Sequence, residues 1–184
     1  YYVYDLKTKK LTKVADEAIQ EPTFSPDASK VAYGQDNNLF VKNLMTGETT
    51  QVTTDGAKNK IINGITDWVY EEEFAFVRAF DWNADGTKLA YIRFDETEVP
   101  EFSMDVFGKE LYPSQDVFKY PKAGETNATV SLHIYNLEDQ KTKEVDLSGF
   151  QNYYIPRLEW TPDADVLAVQ TTNRKQNDVN LLFV

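Results

Sequence analysis

Three stretches of the chain repeat one phrase: Phe24-Ser25-Pro26-Asp27-Ala28-Ser29-Lys30-Val31-Ala32-Tyr33, Trp82-Asn83-Ala84-Asp85-Gly86-Thr87-Lys88-Leu89-Ala90-Tyr91 and Trp160-Thr161-Pro162-Asp163-Ala164-Asp165-Val166-Leu167-Ala168-Val169. Each copy reads as an aromatic residue, a tight polar turn and a strand of Val/Leu-Ala-aromatic or aliphatic character. Pro or Asp opens the turn, and Gly or a small residue accommodates positive φ. The β-branched and aromatic residues that follow favour a pleated, buried strand. Each copy is therefore expected to be a β-hairpin.

A second pattern alternates with the first. Tyr4-Asp5-Leu6, Phe40-Val41-Lys42-Asn43-Leu44 and Ile134-Tyr135-Asn136-Leu137 each run into a polar turn and a further strand, as in Thr49-Thr50-Gln51-Val52-Thr53. Two hairpins per repeat make a four-stranded blade, and radial repetition of blades leaves few exposed strand edges. The expected fold class is all-β, a partial β-propeller of about three four-stranded antiparallel blades. A β-sandwich also shows short strands and regular turns, but it does not need one phrase three times.

With 184 residues, 41% hydrophobic and 14% aromatic, the chain can build a core. Its net charge of −11 argues against a nucleic-acid partner, which would call for clustered Lys and Arg, and suits a cationic ligand. Cysteine is absent, which rules out disulfides, thiol catalysis and zinc-thiolate sites. No apolar run is long enough to cross a bilayer. The openings Tyr1-Tyr2-Val3-Tyr4 and Leu181-Leu182-Phe183-Val184, at the two ends, read as strands of a longer polypeptide. Asn127-Ala128-Thr129 has the form of a glycosylation acceptor, which matters only in a eukaryotic secretory setting.

Two insertions break the repeat spacing, at about 55–79 and 95–129, and insertions on a repeat scaffold usually carry function. The first contains Asn63-Gly64-Ile65-Thr66-Asp67-Trp68-Val69-Tyr70-Glu71-Glu72-Glu73-Phe74, with three consecutive carboxylates between aromatic residues. Neighbouring carboxylates repel, so their clustering makes sense if a cation completes the site or if solvent screens them. A protonated amine, with three donors, fits the first case; a solvated helix face fits the second. A divalent metal would need more oxygen ligands than this stretch presents, and adjacent residues cannot flank a glycosidic bond from opposite faces.

The acidic phrase from Asn63 to Glu73 closely resembles the acidic motif of the dipeptidyl peptidase IV family. The likeness continues through Leu89-Ala90-Tyr91, Asp95-Glu96-Thr97-Glu98-Val99-Pro100 and Tyr120-Pro121-Lys122-Ala123-Gly124, in the family's order and spacing, and covers nearly the whole chain. The resemblance implies the middle blades of an eight-bladed propeller that caps an α/β-hydrolase domain. It implies that the parent protein is a serine peptidase removing X-Pro or X-Ala dipeptides from peptide N-termini, without a cofactor. The second and third Glu of the family's run, on a short helical insertion, hold the substrate α-ammonium; they correspond to Glu72 and Glu73. The 95–129 insertion resembles an extended arm that contributes to a homodimer. Its Phe102, Phe107, Tyr112, Phe118 and Tyr120 suit either an interface or packing on the same subunit.

No catalytic residue is expected in this chain. His133 is its one histidine, in the alternating strand Leu132-His133-Ile134-Tyr135, and no Gly-x-Ser-x-Gly phrase occurs. The triad and oxyanion donors would come from the hydrolase domain, absent from these residues. The family's carbonyl-gripping arginine lies before the point where the resemblance starts. Arg78, following the acidic run, either braces the carboxylates or pairs elsewhere, and its nearness favours bracing. Relatives that lose the catalytic serine act as accessory proteins, and a freestanding binding propeller would need more blades. The resemblance would lead one to expect cysteines in a secreted animal ectodomain, and their lack tilts the expectation toward a bacterial periplasmic or cell-envelope protein.

Overall fold

The computed structural model describes residues 1–184 as sixteen β-strands and one helix, numbered in chain order. Strands β1 (Tyr2–Tyr4) and β2 (Leu11–Lys13) form a hairpin. A four-stranded antiparallel blade follows, β3 (Gln20–Phe24), β4 (Lys30–Gln35), β5 (Asn38–Asn43) and β6 (Thr49–Gln51), paired in sequence order. The second blade opens with β7 (Ile61–Asn63), then helix α1 (Trp68–Phe74), β8 (Phe80–Trp82) and β9 (Lys88–Asp95). A separate hairpin, β10 (Glu101–Val106) with β11 (Ser114–Lys119), precedes the blade's outer strands β12 (Thr129–Asn136) and β13 (Lys141–Glu144). The last sheet is β14 (Tyr153–Trp160), β15 (Leu167–Asn173) and β16 (Val179–Phe183). The chain is thus a partial propeller, with two full blades flanked by a two-stranded and a three-stranded sheet.

The repeated phrase builds the same corner three times. Phe24, Trp82 and Trp160 end the inner strands and face Val31, Leu89 and Leu167 across the hairpin. In the first two turns, φ is positive at Ala28 (55°) and Gly86 (70°), the region a small residue or glycine enters at least cost. Asp27 accepts from the Ser25 hydroxyl and the Ser29 amide, and these bonds hold its carboxyl below the ordinary carboxylate range.

The same aromatic position staples one blade to the next. Trp82 Nε1 donates to the Thr23 carbonyl of the first blade at 3.2 Å, and Trp160 Nε1 donates to the Asp81 carbonyl of the second at 3.1 Å. In both pairs the acceptor immediately precedes the aromatic residue of its own blade. The Asp81 carboxylate also accepts from the Trp160 amide at 3.1 Å. Apolar cores fill the spaces between blades. Leu39, Phe80 and Leu89 belong to the one between the first and second, and Ile92, Leu132, Ile155 and Leu167 to the one between the second and third.

Each inner strand is also interrupted. In the first blade, Glu21 and Pro22 face only Tyr33; in the third, Ile155 and Pro156 face only Thr171. In the second blade β7 pairs as far as Asn63↔Arg93 and β8 resumes at Phe80↔Tyr91, so the whole stretch 64–79 faces Ile92. Ile92 closes the gap by accepting from the Gly64 amide at 3.0 Å and donating to the Ala79 carbonyl at 2.9 Å. The acidic insertion is therefore an enlarged β-bulge. It is narrower than the span 55–79 read from repeat spacing, because β7 is a strand of the blade. Substituting Trp160→Phe keeps an aromatic ring but removes the indole's hydrogen bond to the half-buried Asp81 carbonyl, and should lower stability by about 0.5–1.5 kcal/mol. Urea unfolding should show a reduced midpoint with an unchanged m-value.

Candidate functional site

Gly64, at φ 72°, turns the chain out of the sheet. The two legs of the excursion then zip together: the Thr66 amide donates to the Val77 carbonyl at 3.0 Å, the Thr66 hydroxyl donates to the Phe76 carbonyl at 3.1 Å, and Ile65 bridges Arg78. Helix α1 stands on these legs. Asp67 caps its start by accepting from the Tyr70 amide at 3.0 Å, and Ala75, in the left-handed region, ends it.

Seven residues are too few for a helix to persist on local bonds alone. Contacts with the third blade hold it. Tyr70 is buried, its ring 4.8 Å to 6.0 Å from those of Phe74, Phe76, Phe94 and Tyr154. Its hydroxyl accepts from the Ile155 amide at 2.8 Å. Arg157 donates to the Phe74 carbonyl at 3.0 Å and lays its guanidinium 5.3 Å from the Phe76 ring centre.

Glu71, Glu72 and Glu73 all project to solvent, and none forms an ion pair within the chain. Glu73 lines a cleft of about 1020 Å³ walled by Trp68, Phe74, Tyr154 and Arg174 on one side and by Phe102, Phe118, Tyr120 and Lys122 on the other; Glu72 is not among its walls. The two carboxylates are thus neighbours on one rigid helix, with Glu73 turned toward the cleft. Arg78 does not brace them. Its guanidinium donates to the Thr23 hydroxyl at 3.2 Å, on the first blade. The bracing arginine is Arg157, which lies 83 residues beyond the Phe74 carbonyl it reaches. The one signal for it in the sequence is Pro156, since proline inside a strand marks a bulge or an edge.

Behind the helix lies a buried acid pair. Burial pushes Asp67 up to about 6. Glu96, 7% exposed at the foot of the arm, is pushed up to about 7 by burial first and the Asp67 charge second, with Lys119 opposing. Lys119 itself donates to the Thr97 and Val99 carbonyls at 3.1 and 2.8 Å.

In the arm, Phe102, Phe118 and Tyr120 pack on one another, and Tyr120 meets Trp68 edge-on at 4.3 Å. Phe107 and Tyr112, by contrast, are 81% and 80% exposed at the tip. His133 stacks on Tyr91 at 5.3 Å and contacts the Ser131 hydroxyl through Nε2 at 2.8 Å, and burial lowers its pKa. Ser131 lies in the regular β9–β12 ladder opposite Arg93, not on an elbow. No group of three or more acidic or histidine side chains is placed to hold a metal ion, and no helix is long and apolar enough to cross a membrane.

Removing the Tyr70 hydroxyl leaves the buried Ile155 amide without its acceptor, so Tyr70→Phe should cost about 1–3 kcal/mol in thermal or urea unfolding. Asp67 and Glu96 both bind protons more tightly folded than unfolded, where they titrate at ordinary carboxylate values. Their contribution is most favourable below about pH 4 and is lost as pH rises toward 7. Melting temperatures measured from pH 5 to pH 8 should fall less steeply for Glu96→Gln than for the unaltered protein.

The model of the dipeptidyl peptidase IV N-terminal region matches residues 1–184. A crystal structure of Porphyromonas gingivalis dipeptidyl peptidase 4 is similar to this chain with a TM-score of 0.95 and 46% identity, over 100% of this chain and 26% of that one. A putative dipeptidyl aminopeptidase IV from Bacteroides ovatus gives a TM-score of 0.81 at 26% identity, over 99% of this chain and 24% of that one. Among curated relatives, a probable dipeptidyl-aminopeptidase B of Talaromyces stipitatus is 34% identical over 203 residues, covering 100% of this chain and 22% of the relative. The Trichophyton verrucosum counterpart is 39% identical over 163 residues, covering 80% and 18%. The chain spans about a fifth of the length of these curated relatives.

Proposed function

Because this chain belongs to the family of dipeptidyl peptidase IV N-terminal regions, we propose that it is the substrate-recognising propeller segment of a serine-type dipeptidyl aminopeptidase. The parent protein releases X-Pro or X-Ala dipeptides from peptide N-termini, and Glu72 and Glu73 hold the substrate's α-ammonium. The observation that carries this reading is the display of two adjacent, exposed carboxylates on one capped helix, neither of them in an ion pair with a cation of the chain. A primary ammonium supplies the missing charge and three donors.

The chemistry divides between two parts of the parent. This chain fixes where the peptide begins; an α/β-hydrolase domain supplies the serine, its histidine base and the oxyanion donors. In the parent, carboxylates that hold the α-ammonium two residues before the nucleophile make the product a dipeptide. The residues carried here have no cofactor to bind in this scheme. The arm, with Phe107 and Tyr112 exposed at its tip, contributes to a homodimer. A bacterial periplasmic or cell-envelope setting fits a family member without the cysteines expected of a secreted animal ectodomain. An accessory role for a parent lacking its serine is the second reading, and a Gly-x-Ser-x-Gly elbow in the parent's hydrolase domain distinguishes the two.

Hydrolysis of Gly-Pro and Ala-Pro chromogenic amides by the parent protein, free and N-acetylated, tests this. A charge-assisted hydrogen bond is worth about 1.5–3 kcal/mol, so Glu72→Gln and Glu73→Gln should each lower kcat/KM about 10- to 100-fold on free-amine substrates. Equal cleavage of acetylated substrates would make the Glu run a solvated helix face. Inactivity on every substrate would favour the accessory role.

A further inference from the structure

We propose that Arg157 is a positioning residue for amine recognition: from the third blade it locks the end of the helix that carries Glu72 and Glu73. The inference rests on the amine-binding reading above and adds a residue with which the acidic motif shares no stretch of sequence.

The helix ends one residue after Glu73. Phe74 is its last residue, Ala75 takes the left-handed conformation, and Phe76 begins the returning leg. Carbonyls in the last helical turn have no partner within the helix. Arg157 serves the Phe74 carbonyl and stacks on Phe76, so one guanidinium grips both sides of Ala75. A cation at this end also complements the helix dipole. Doing both at once suits a planar group that donates in its plane and stacks on its face; a lysine serves the carbonyl but does not stack flat on the ring. The guanidinium is engaged with the Phe74 and Pro156 carbonyls and the Phe76 ring and forms no ion pair with the carboxylates.

Arg157 can reach the helix because of the bulge in β14. Pro156 has no amide hydrogen to offer the ladder, and the Ile155 amide turns instead to the Tyr70 hydroxyl. Ladder pairing resumes at Arg157, opposite Gln170. Thr171 lies opposite the bulge, with its hydroxyl oxygen buried and without a hydrogen-bond partner. A buried polar group left unsatisfied in this way is uncommon, and here it coincides with the irregularity that sends two anchors to the acidic helix. Arg78 makes the matching reach from the second blade to Thr23 of the first, but it does not touch the helix.

The test uses the full-length parent enzyme and free-amine Gly-Pro amide kinetics for Arg157→Ala, Arg157→Lys, Glu73→Gln and the Arg157→Ala/Glu73→Gln double variant. Misdirecting a binding group by an ångström costs up to about 100-fold, so Arg157→Ala should lower kcat/KM about 10- to 100-fold, chiefly through KM. Arg157→Lys should recover part of the loss, and free guanidinium ion at low millimolar concentration should partly restore Arg157→Ala. In the Glu73→Gln background the Arg157→Ala effect should shrink, as expected of two residues acting on one contact. Strict additivity of the two changes, or an Arg157→Ala enzyme with wild-type KM beside a defective Glu73→Gln enzyme, would overturn the positioning role alone. A Glu73→Gln enzyme with wild-type KM would instead overturn the amine-binding reading. Should Arg157→Ala fail to fold, the KM of Arg157→Lys and its coupling to Glu73→Gln decide the same question.

Discussion

Every place where an inner strand breaks its ladder leaves backbone amides and carbonyls that must find partners elsewhere, and the structure of the site follows from how they are found. Unpaired backbone groups are expensive inside a protein. In the second blade the break is long enough to satisfy itself, through Thr66 pairing with Val77 and Phe76 and through Ile92 bridging Gly64 and Ala79. In the third blade the break is short, and its free amide, on Ile155, goes to Tyr70 across the blade boundary. The acidic helix is thus built by one blade and held by the next.

That division explains how so short a helix can present charge in a fixed direction. Its inward side spends Val69 and Tyr70 on the core between blades, while the Glu run is left on the solvent side. The indole staples at Trp82 and Trp160 set the spacing of the blades. Any slip between the second and third would therefore move both the carboxylates and their anchors. Burial raises the pKa of Glu96 at the foot of the arm, and the charge of Asp67 at the start of the helix raises it further.

Much of the architecture is legible in the residue pattern because the repeated phrase is made of local terms. The turn residues Asp27, Ala28 and Gly86 and the aromatic-to-aliphatic pairs across each hairpin act within ten residues of one another. The acidic run is legible as a motif through the length and order of the residues around it. Less was visible where partners are distant. The extent of the insertion was overdrawn because Ile61–Asn63 pairs with Arg93–Asp95, a contact no local pattern announces. Arg78 was the nearer arginine and the wrong brace, since a helix end chooses its partner by position in space.

The sequence by itself determined the strand-turn-strand grammar, the repetition that makes blades, the acidic motif and the family it belongs to, because propensity, turn chemistry and motif order are properties of contiguous residues. Only the tertiary structure decided that the insertion is an enlarged bulge, that Glu73 rather than Glu72 faces the cleft, that Phe107 and Tyr112 stand free while Phe102 and Tyr120 pack, and that Arg157 holds the helix. Those outcomes depend on which blade lies beside which, and a side chain's burial and partners are set by neighbours that the chain order does not name.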